Sequence, residues 1–535
     1  MVTKRVMPVG EQSFSEVRNR GFVYVDKTQY VYQLISESKV YFLGRPRRFG
    51  KSLLLSTLKS YFLGEKELFE GLYLGHAEPD LAAAEGRPAW QEYPVFYFSL
   101  ASERYVDEQA LKGMLNQQLV QYEKRYGREP EDNTLSNRFR GIIRRACEQT
   151  TQQVVVLIDE YDRPLLATLH NPELHQTYKE ILHAFYLVLK DSSDYLRFVL
   201  LTGVTRFSKV GIFSGLNNLK DLSMLPAYAG VCGITERELE TNFAPEIESL
   251  AAALKLSQEK TLAKLKKRYD GYLFNEQGEH VYNPFSLLSV FSANYFSDYW
   301  YTTGTPTFLV EKLKAERFRI PDFGNGLSVR KREMENYSTE SEDVVPILFQ
   351  AGYLTIKSYL PQREAYVLGF PNDEVKYSFL ENLMPLFYKK NSPFGTAVWD
   401  FQDAIEAGNV EAMMRKIEAL LASVPYDNIN DVEYRERDAQ LALFFIFTLL
   451  GELVEAEVHN NLGRADIIVH TDGIIYIFEL KLWSAGTPDD AIAQIKEQGY
   501  ATPYLETDKK VLLIGASFDE EKRNVGAWKV EELGG

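Results

Sequence analysis

The chain has 535 residues, 45% of them hydrophobic and 25% charged, which is too long for one core and too apolar for disorder, so two or three globular domains are expected. A formal net charge of −15 excludes indiscriminate coating of nucleic acid, because phosphate binding is driven by Lys and Arg; any such contact has to be local. Two cysteines, Cys147 and Cys232, lie outside any C-x-x-C pattern, which excludes a disulfide framework and a structural zinc site and points to the cytoplasm. The first thirty residues mix charges with short apolar runs, so no signal peptide is expected. The longest apolar run, Leu441 to Leu450, falls short of the roughly 20 residues a bilayer requires, so no membrane partner is expected.

In chain order, Val40 to Leu43 reads as a strand, Gly44-Arg-Pro-Arg-Arg-Phe-Gly-Lys-Ser52 as a loop, and the leucines that follow as a helix. Backbone amides around Gly50 suit phosphate, Lys51 suits the β/γ charge, and the Ser52 hydroxyl suits Mg²⁺. The strict G-x-x-x-x-G-K-[ST] spacing would place a glycine at 45, where the chain has Arg45. Apolar runs at Pro94 to Leu100, Val154 to Ile158 and Phe198 to Leu201 are continuous rather than alternating, as in a parallel sheet covered on both faces. The second of these delivers Asp159 and Glu160 at its carboxyl end, where such sheets gather ligands. Asp159 is expected to hold Mg²⁺ and Glu160 to polarise an attacking water. Thr202 and Arg206 suit sensing of a γ-phosphate, or equally form a polar strand end.

Tyr24-Val-Asp-Lys-Thr28, Arg45 to Leu53, Leu157-Ile-Asp-Glu-Tyr-Asp162, Thr202-Gly-Val-Thr-Arg-Phe207, Tyr269-Asp-Gly-Tyr272 and Tyr282-Asn-Pro-Phe285 together resemble the bacterial AAA-ATPase-like family. In that family an arginine-rich loop without the early glycine is itself typical. The resemblance covers roughly the first 300 residues. It implies ATP as ligand, Lys51 and Ser52 as phosphate and metal contacts, and Asp159 with Glu160 as the acid pair. Arg45, Arg47, Arg48 and Gly50 belong to the same loop; the arginines either touch phosphate or are simply exposed.

The stretch from about 286 to 409 shows helix-like segments and aromatics but no catalytic constellation, and is expected to be a helical lid or connector. Beyond it, Asp472-Gly473 is a favoured two-residue turn between β-formers. Counting outward from that turn sets Asp466 opposite Glu479, with Cβ atoms roughly 5 Å apart and like charges so placed destabilising, so something cationic is expected between them. Lys481, two residues on, shares the face of Glu479. Lysine alone satisfies the charge; Mg²⁺ or Mn²⁺ satisfies it and supplies a water nucleophile for a phosphodiester.

The Asp466, Glu479, Lys481 spacing resembles the PD-(D/E)XK nuclease superfamily, over roughly residues 410 to 520. Ala465 stands where the usual proline would precede the aspartate. The resemblance implies metal binding by Asp466 and Glu479, an extra acid at Glu436, and a helix carrying Gln494 and Gln498. Glu436 reads equally as a first-turn acid of a helix, and the glutamines nearly as well as a solvated face. Expected overall is an α/β protein: a P-loop NTPase domain with a parallel sheet (1–285), a helical lid or connector (286–409), and a C-terminal α/β restriction-endonuclease-like domain (410–535). Expected function is ATP binding and hydrolysis coupled to Mg²⁺- or Mn²⁺-dependent cleavage of DNA or RNA, with DNA favoured. The alternative is a nucleotide-switched protein that binds nucleic acid or a protein partner without cutting. Self-association is left open.

Overall fold

The computed structural model describes residues 5–101, 103–205, 218–300, 326–335, 344–379, 403–422, 453–459, 464–471, 473–505, 507–519, 521–522 and 524–533. The chain divides into two compact units, one of Met1–Lys312 with Ser328–Val375 and one of Leu313–Leu327 with Lys376–Gly535.

The first unit is built on five strands, β1 (Val40–Gly44), β2 (Val95–Ser99), β3 (Val154–Asp159), β4 (Leu196–Gly203) and β5 (Lys220–Asp221). They pair in parallel in the order β2-β3-β4-β1-β5. Apolar residues at successive positions bury both faces, which is why these strands read as unbroken apolar runs. On one face Phe42, Phe96, Phe98, Val156 and Ile158 join a core with the helices Glu108–Tyr126, Leu135–Thr150 and Pro172–Asp191. On the other, the Phe198 ring lies between those of Tyr41 and Phe62 in tilted contacts, Phe62 being at the end of the helix Lys51–Phe62.

The strand order has a functional consequence. It inserts β4 between the strand that ends in the glycine-rich loop and the strand that ends in Asp159. The carboxyl ends still come level, because Leu43 pairs with Thr202, Gly44 with Gly203, and Ser99 with Asp159.

A second core in the same unit gathers Leu239, Phe243, Leu250, Leu265, Tyr269, Leu287 and Phe291 from the helices Glu236–Asn242, Ala244–Leu254, Gln258–Tyr269 and Pro284–Ala293. A short antiparallel pair, β6 (Ile234–Thr235) and β7 (Val281–Tyr282), closes it. The region expected as a helical connector is not helical throughout. It also contains β8 (Leu327–Arg330), β9 (Thr355–Leu360) and β10 (Ala365–Gly369), ordered β8-β10-β9. The β-branched and aromatic residues of Thr355-Ile-Lys-Ser-Tyr-Leu360 favour that outcome.

The second unit carries a five-stranded mixed sheet of β11 (Leu453–His459), β12 (Arg464–His470), β13 (Ile474–Leu482), β14 (Lys510–Asp519) and β15 (Asn524–Glu532), paired in that order. Only β13 and β14 run parallel. The connection between them includes the helix Pro488–Glu497, which packs Ile492 and Ile495 on Ile475, Ile477 and Leu513. Among the described residues no helix is long and apolar enough to cross a membrane.

Candidate active sites

The first site forms where β1, β3 and β4 end. Gly50 has φ 94°, in the left-handed region that a glycine adopts without strain, and it turns the loop into the helix that starts at Lys51. The Lys51 ammonium lies inside the loop, donating to the carbonyls of Arg45 (2.9 Å) and Pro46 (3.0 Å). Burial pushes its pKa down, while Asp159, Glu160 and Asp162 pull it back up. Asp159 collects donors from three elements: Ser52 Oγ (2.6 Å) and Tyr97 OH (3.2 Å) on one oxygen, Thr202 Oγ1 (2.7 Å) on the other. Ser52 at the helix start, Tyr97 on β2 and Thr202 on β4 thus gather around the carboxylate that ends β3. Glu160 follows at φ 52°, a conformation costly for a residue with a Cβ. Its carboxyl is raised by burial, against the opposing pull of Lys51.

The three arginines of the loop have different surroundings. Arg45 is 1% exposed, and its guanidinium donates inward to the carbonyls of Gly44 (2.9 Å), Ser223 (2.6 Å) and Tyr228 (2.9 Å) while lying over the Phe274 ring. It braces the loop from behind, with its terminal NH groups on protein carbonyls. Burial lowers its pKa to about 10. Arg48 stands over the ring of Phe285. Arg47 is half-buried within electrostatic reach of Glu160 and Arg163. Arg206 lies outside the described residues.

Two features escape a reading by motif. Asp162 accepts the amides of Val204 (3.0 Å) and Thr205 (2.6 Å) and the Thr205 hydroxyl (2.7 Å), pinning the chain after β4 to the chain after β3. Gly203 permits this, since a Cβ there would lie 2.5 Å from the Tyr161 ring. The other is a collar around the loop. Trp300 donates its indole N–H to the Arg47 carbonyl (3.0 Å) and its backbone N–H to Glu374 (2.8 Å), which also accepts from Ser286 (2.7 Å). A Cβ at Gly352 would meet the Pro46 ring at 2.7 Å. The signal for both is tertiary, so no local pattern announces them. Beside the loop, an apolar cleft lined by Tyr24, Val25, Phe49, Gly50, Cys232 and Ile234 adjoins the start of the helix at Lys51. The Tyr24-Val-Asp-Lys-Thr28 segment is fixed there by Lys27, which reaches the Gly230 carbonyl (2.8 Å) and the Glu238 carboxylate (2.6 Å).

The second site lies on β12 and β13. Their register runs from Ile467 opposite Phe478 to His470 opposite Ile475, and alternation along the two strands puts Asp466 and Glu479 on one sheet face. Asp466 is 8% exposed and Glu479 2%. Asp466 accepts the Leu480 amide (2.7 Å), and the Lys481 ammonium reaches Glu479 (3.1 Å). The helix Pro488–Glu497 approaches the sheet closely here. Gly515, paired with Glu479, would as alanine drive its Cβ to 2.3 Å from the Pro488 carbonyl. Gln494 on this helix donates to Tyr500 OH (3.3 Å). Glu436 and the turn residue Asp472 lie outside the described residues. Among the described residues no three His, Cys, Asp or Glu side chains converge on a metal position. Two buried carboxylates on one sheet face nevertheless supply the oxygen donors that a hard divalent ion takes.

A loop ending in Gly50-Lys51-Ser52 and an acid-tipped strand on a parallel sheet are the architecture of a P-loop NTPase domain, and the second unit is an α/β domain with two buried acids and a lysine on its sheet. The matched family models are a predicted AAA-ATPase over residues 8–213 and the PD-(D/E)XK nuclease superfamily over residues 435–528. An uncharacterized protein in the vnfD 5′ region of Azotobacter chroococcum mcd 1 is 34% identical over 542 residues, covering 100% of both chains. The chain belongs to this AAA-ATPase-like family with a C-terminal PD-(D/E)XK nuclease superfamily domain. The Aeropyrum pernix ORC2 protein, solved in ADPNP and ADP complexes, aligns over 64% of this chain and 87% of its own at 12% identity, with a TM-score of 0.25, too distant a likeness to bear on function.

Proposed function

We propose that the protein binds and hydrolyses ATP with Mg²⁺ in its first unit and uses the nucleotide state to control divalent-metal-dependent cleavage of DNA or RNA, with DNA favoured, in its second. The observation that carries the cleavage reading is the pair of buried carboxylates, Asp466 and Glu479, on one sheet face beside Lys481. Two like charges removed from water call for a cation. Asp466 and Glu479 are the residues that would hold Mg²⁺ or Mn²⁺, which supplies an activated water and charge neutralisation at the phosphodiester. Lys481 orients the nucleophile or steadies the developing phosphate charge.

In the ATPase unit, Lys51 moves from the loop carbonyls to the β/γ-phosphates, Ser52 and Asp159 would hold the metal, Glu160 orients water, and Thr202 keeps Asp159 in place. The cleft at Tyr24, Val25 and Cys232 accepts the base, being apolar and next to the helix N-terminus where the phosphates sit. Both cysteines are free thiols, which suits a reducing cytoplasm.

Incubating the purified protein with linear, circular and single-stranded substrates plus Mg²⁺ or Mn²⁺, with and without ATP, tests this. Asp466→Ala is expected to abolish cutting, and Lys51→Ala to remove ATP binding and with it any ATP effect on cutting. Cutting that survives Asp466→Ala rejects the nuclease site; binding of nucleic acid without cutting would instead favour a nucleotide-switched binding protein. Unchanged ATP affinity in Lys51→Ala rejects the phosphate loop.

A further inference from the structure

Trp483 stands out among the aromatic side chains of the second unit. It directly follows β13 and is 59% exposed, whereas burial is the norm for so large an apolar surface. It is nonetheless held in place. Its amide donates to the Phe518 carbonyl (2.7 Å), extending the ladder between β13 and β14 by one step. Its ring rests on Gly526, where a Cβ would lie 2.5 Å from the indole. Gly526 is the extra residue of a β-bulge, since Ala527 pairs with Ser517 and Val525 with Phe518. One ring face is therefore seated on backbone and much of the side chain remains open to solvent.

Alternation along the strand places Trp483 in line with Glu479 and Lys481, two residues, or about 7 Å, beyond the lysine. A turn closed by Gly486 on the Leu482 carbonyl lays backbone against the Lys481 stem and leaves the indole at its edge. The charges nearby do not favour a duplex. Lys529 is paired with Asp489 (2.6 Å) and Glu531 (3.2 Å), Lys522 with Asp519 (2.8 Å), and Lys496 with Glu531. Duplex binding draws on lysines and arginines that displace counterions, and these already have carboxylate partners. An aromatic face needs an unstacked base, and stacking adds to whatever affinity the charges supply.

We propose that Trp483 is the stacking platform for an unpaired nucleobase, and that the second unit acts on single-stranded or frayed nucleic acid, the stacked base setting which phosphate reaches Glu479 and Lys481. This rests on the nuclease reading above and names its substrate class.

The test uses the full chain in EDTA with fluorescent oligo(dT), oligo(rU) and a blunt duplex of equal length, and Trp483→Ala, Trp483→Phe and Trp483→Leu. Base stacking on an aromatic residue is worth roughly a ten-fold or larger change in affinity. Trp483→Ala and Trp483→Leu are expected to lose that factor for single strands, Trp483→Phe to keep most of it, and the weaker duplex binding to stay unchanged. Leucine preserves apolar packing on Gly526, so equal binding by Trp483→Leu would overturn the proposal, as would unaltered affinity in Trp483→Ala. The oligo(dT) and oligo(rU) arms separate DNA from RNA. Single-strand binding through Trp483 without Asp466-dependent cutting would sink the nuclease reading alone. Asp466-dependent cutting with no Trp483 effect would sink stacking alone.

Discussion

At the scale of single residues, the ATPase site is governed by how its carboxylates are partnered. Asp159 has one oxygen on Ser52 and the other on Thr202, which fixes its carboxylate in place, while burial raises Glu160, its neighbour. Asp162 does something different. Three donors from Val204 and Thr205 converge on one of its oxygens, and the backbone that leaves β4 follows that oxygen. Hydrogen bonds to a charged group contribute about 1.5–3 kcal/mol each before cooperative losses. Asp162→Ala is therefore expected to cost about 3 kcal/mol of unfolding free energy in urea titration. It is also expected to slow ATP hydrolysis more than ATP binding, because the strand end that carries Thr202 loses its anchor. A variant with wild-type stability and turnover would show that Asp162 is not the pin. The place of Lys51 and Ser52 at a helix start was legible because strand, loop and helix succeed one another along the chain, and that of Asp159 because it ends an unbroken apolar run. The surroundings of Arg45 were not: its guanidinium bonds the carbonyls of Ser223 and Tyr228, far along the sequence, and only their placement decides that.

At the scale of elements, the same division holds. That Asp466 and Glu479 share a sheet face follows from the register of β12 with β13 and the period of a strand, both local. The close seat of the helix Pro488–Glu497 on Gly515 depends on a strand that arrives later, so nothing near Glu479 foretold it. The collar on the phosphate loop is equally non-local, joining Trp300, Ser286 and Gly352 to residues 45 to 47. Its hub, Glu374, makes a prediction at this scale. Burial lifts its carboxyl from 4.5 to about 7, helped by Asp298 and opposed by Arg268 and by the donors Ser286 and Trp300. The folded protein thus holds a proton that the unfolded chain has released between those two values. The collar's contribution is fully present below the unfolded pKa and is lost as pH rises through about 7, by on the order of 3 kcal/mol at most. Glu374→Gln, which stays neutral and still accepts from Trp300, is expected to flatten that fall when urea stability is compared at about pH 5 and about pH 8. An unchanged slope in the variant would place the charge cost elsewhere.

At the scale of the whole molecule, two compact units share one chain, and fusion alone does not make one control the other. Control has to be a coupling free energy, and such couplings are reciprocal: if ATP alters affinity for nucleic acid by some factor, nucleic acid alters affinity for ATP by the same factor. The collar gives a physical reason to expect coupling. A phosphate drawing Lys51 off the carbonyls of Arg45 and Pro46 would disturb the loop on which Trp300 and Gly352 rest, and Glu374 lies on one of the segments from which the chain passes into the second unit. Typical couplings of 1–3 kcal/mol correspond to roughly 5- to 150-fold. The dissociation constant for ATP, measured by calorimetry in the Asp466→Ala protein with and without saturating oligo(dT), is expected to differ by at least about 5-fold. Trp300→Phe, which keeps an aromatic ring but removes the donor to Arg47, is expected to shrink that factor while leaving each ligand's own affinity close to wild type. Equal ATP affinities in the presence and absence of oligo(dT) would mean that the two units are thermodynamically independent, whatever each does alone.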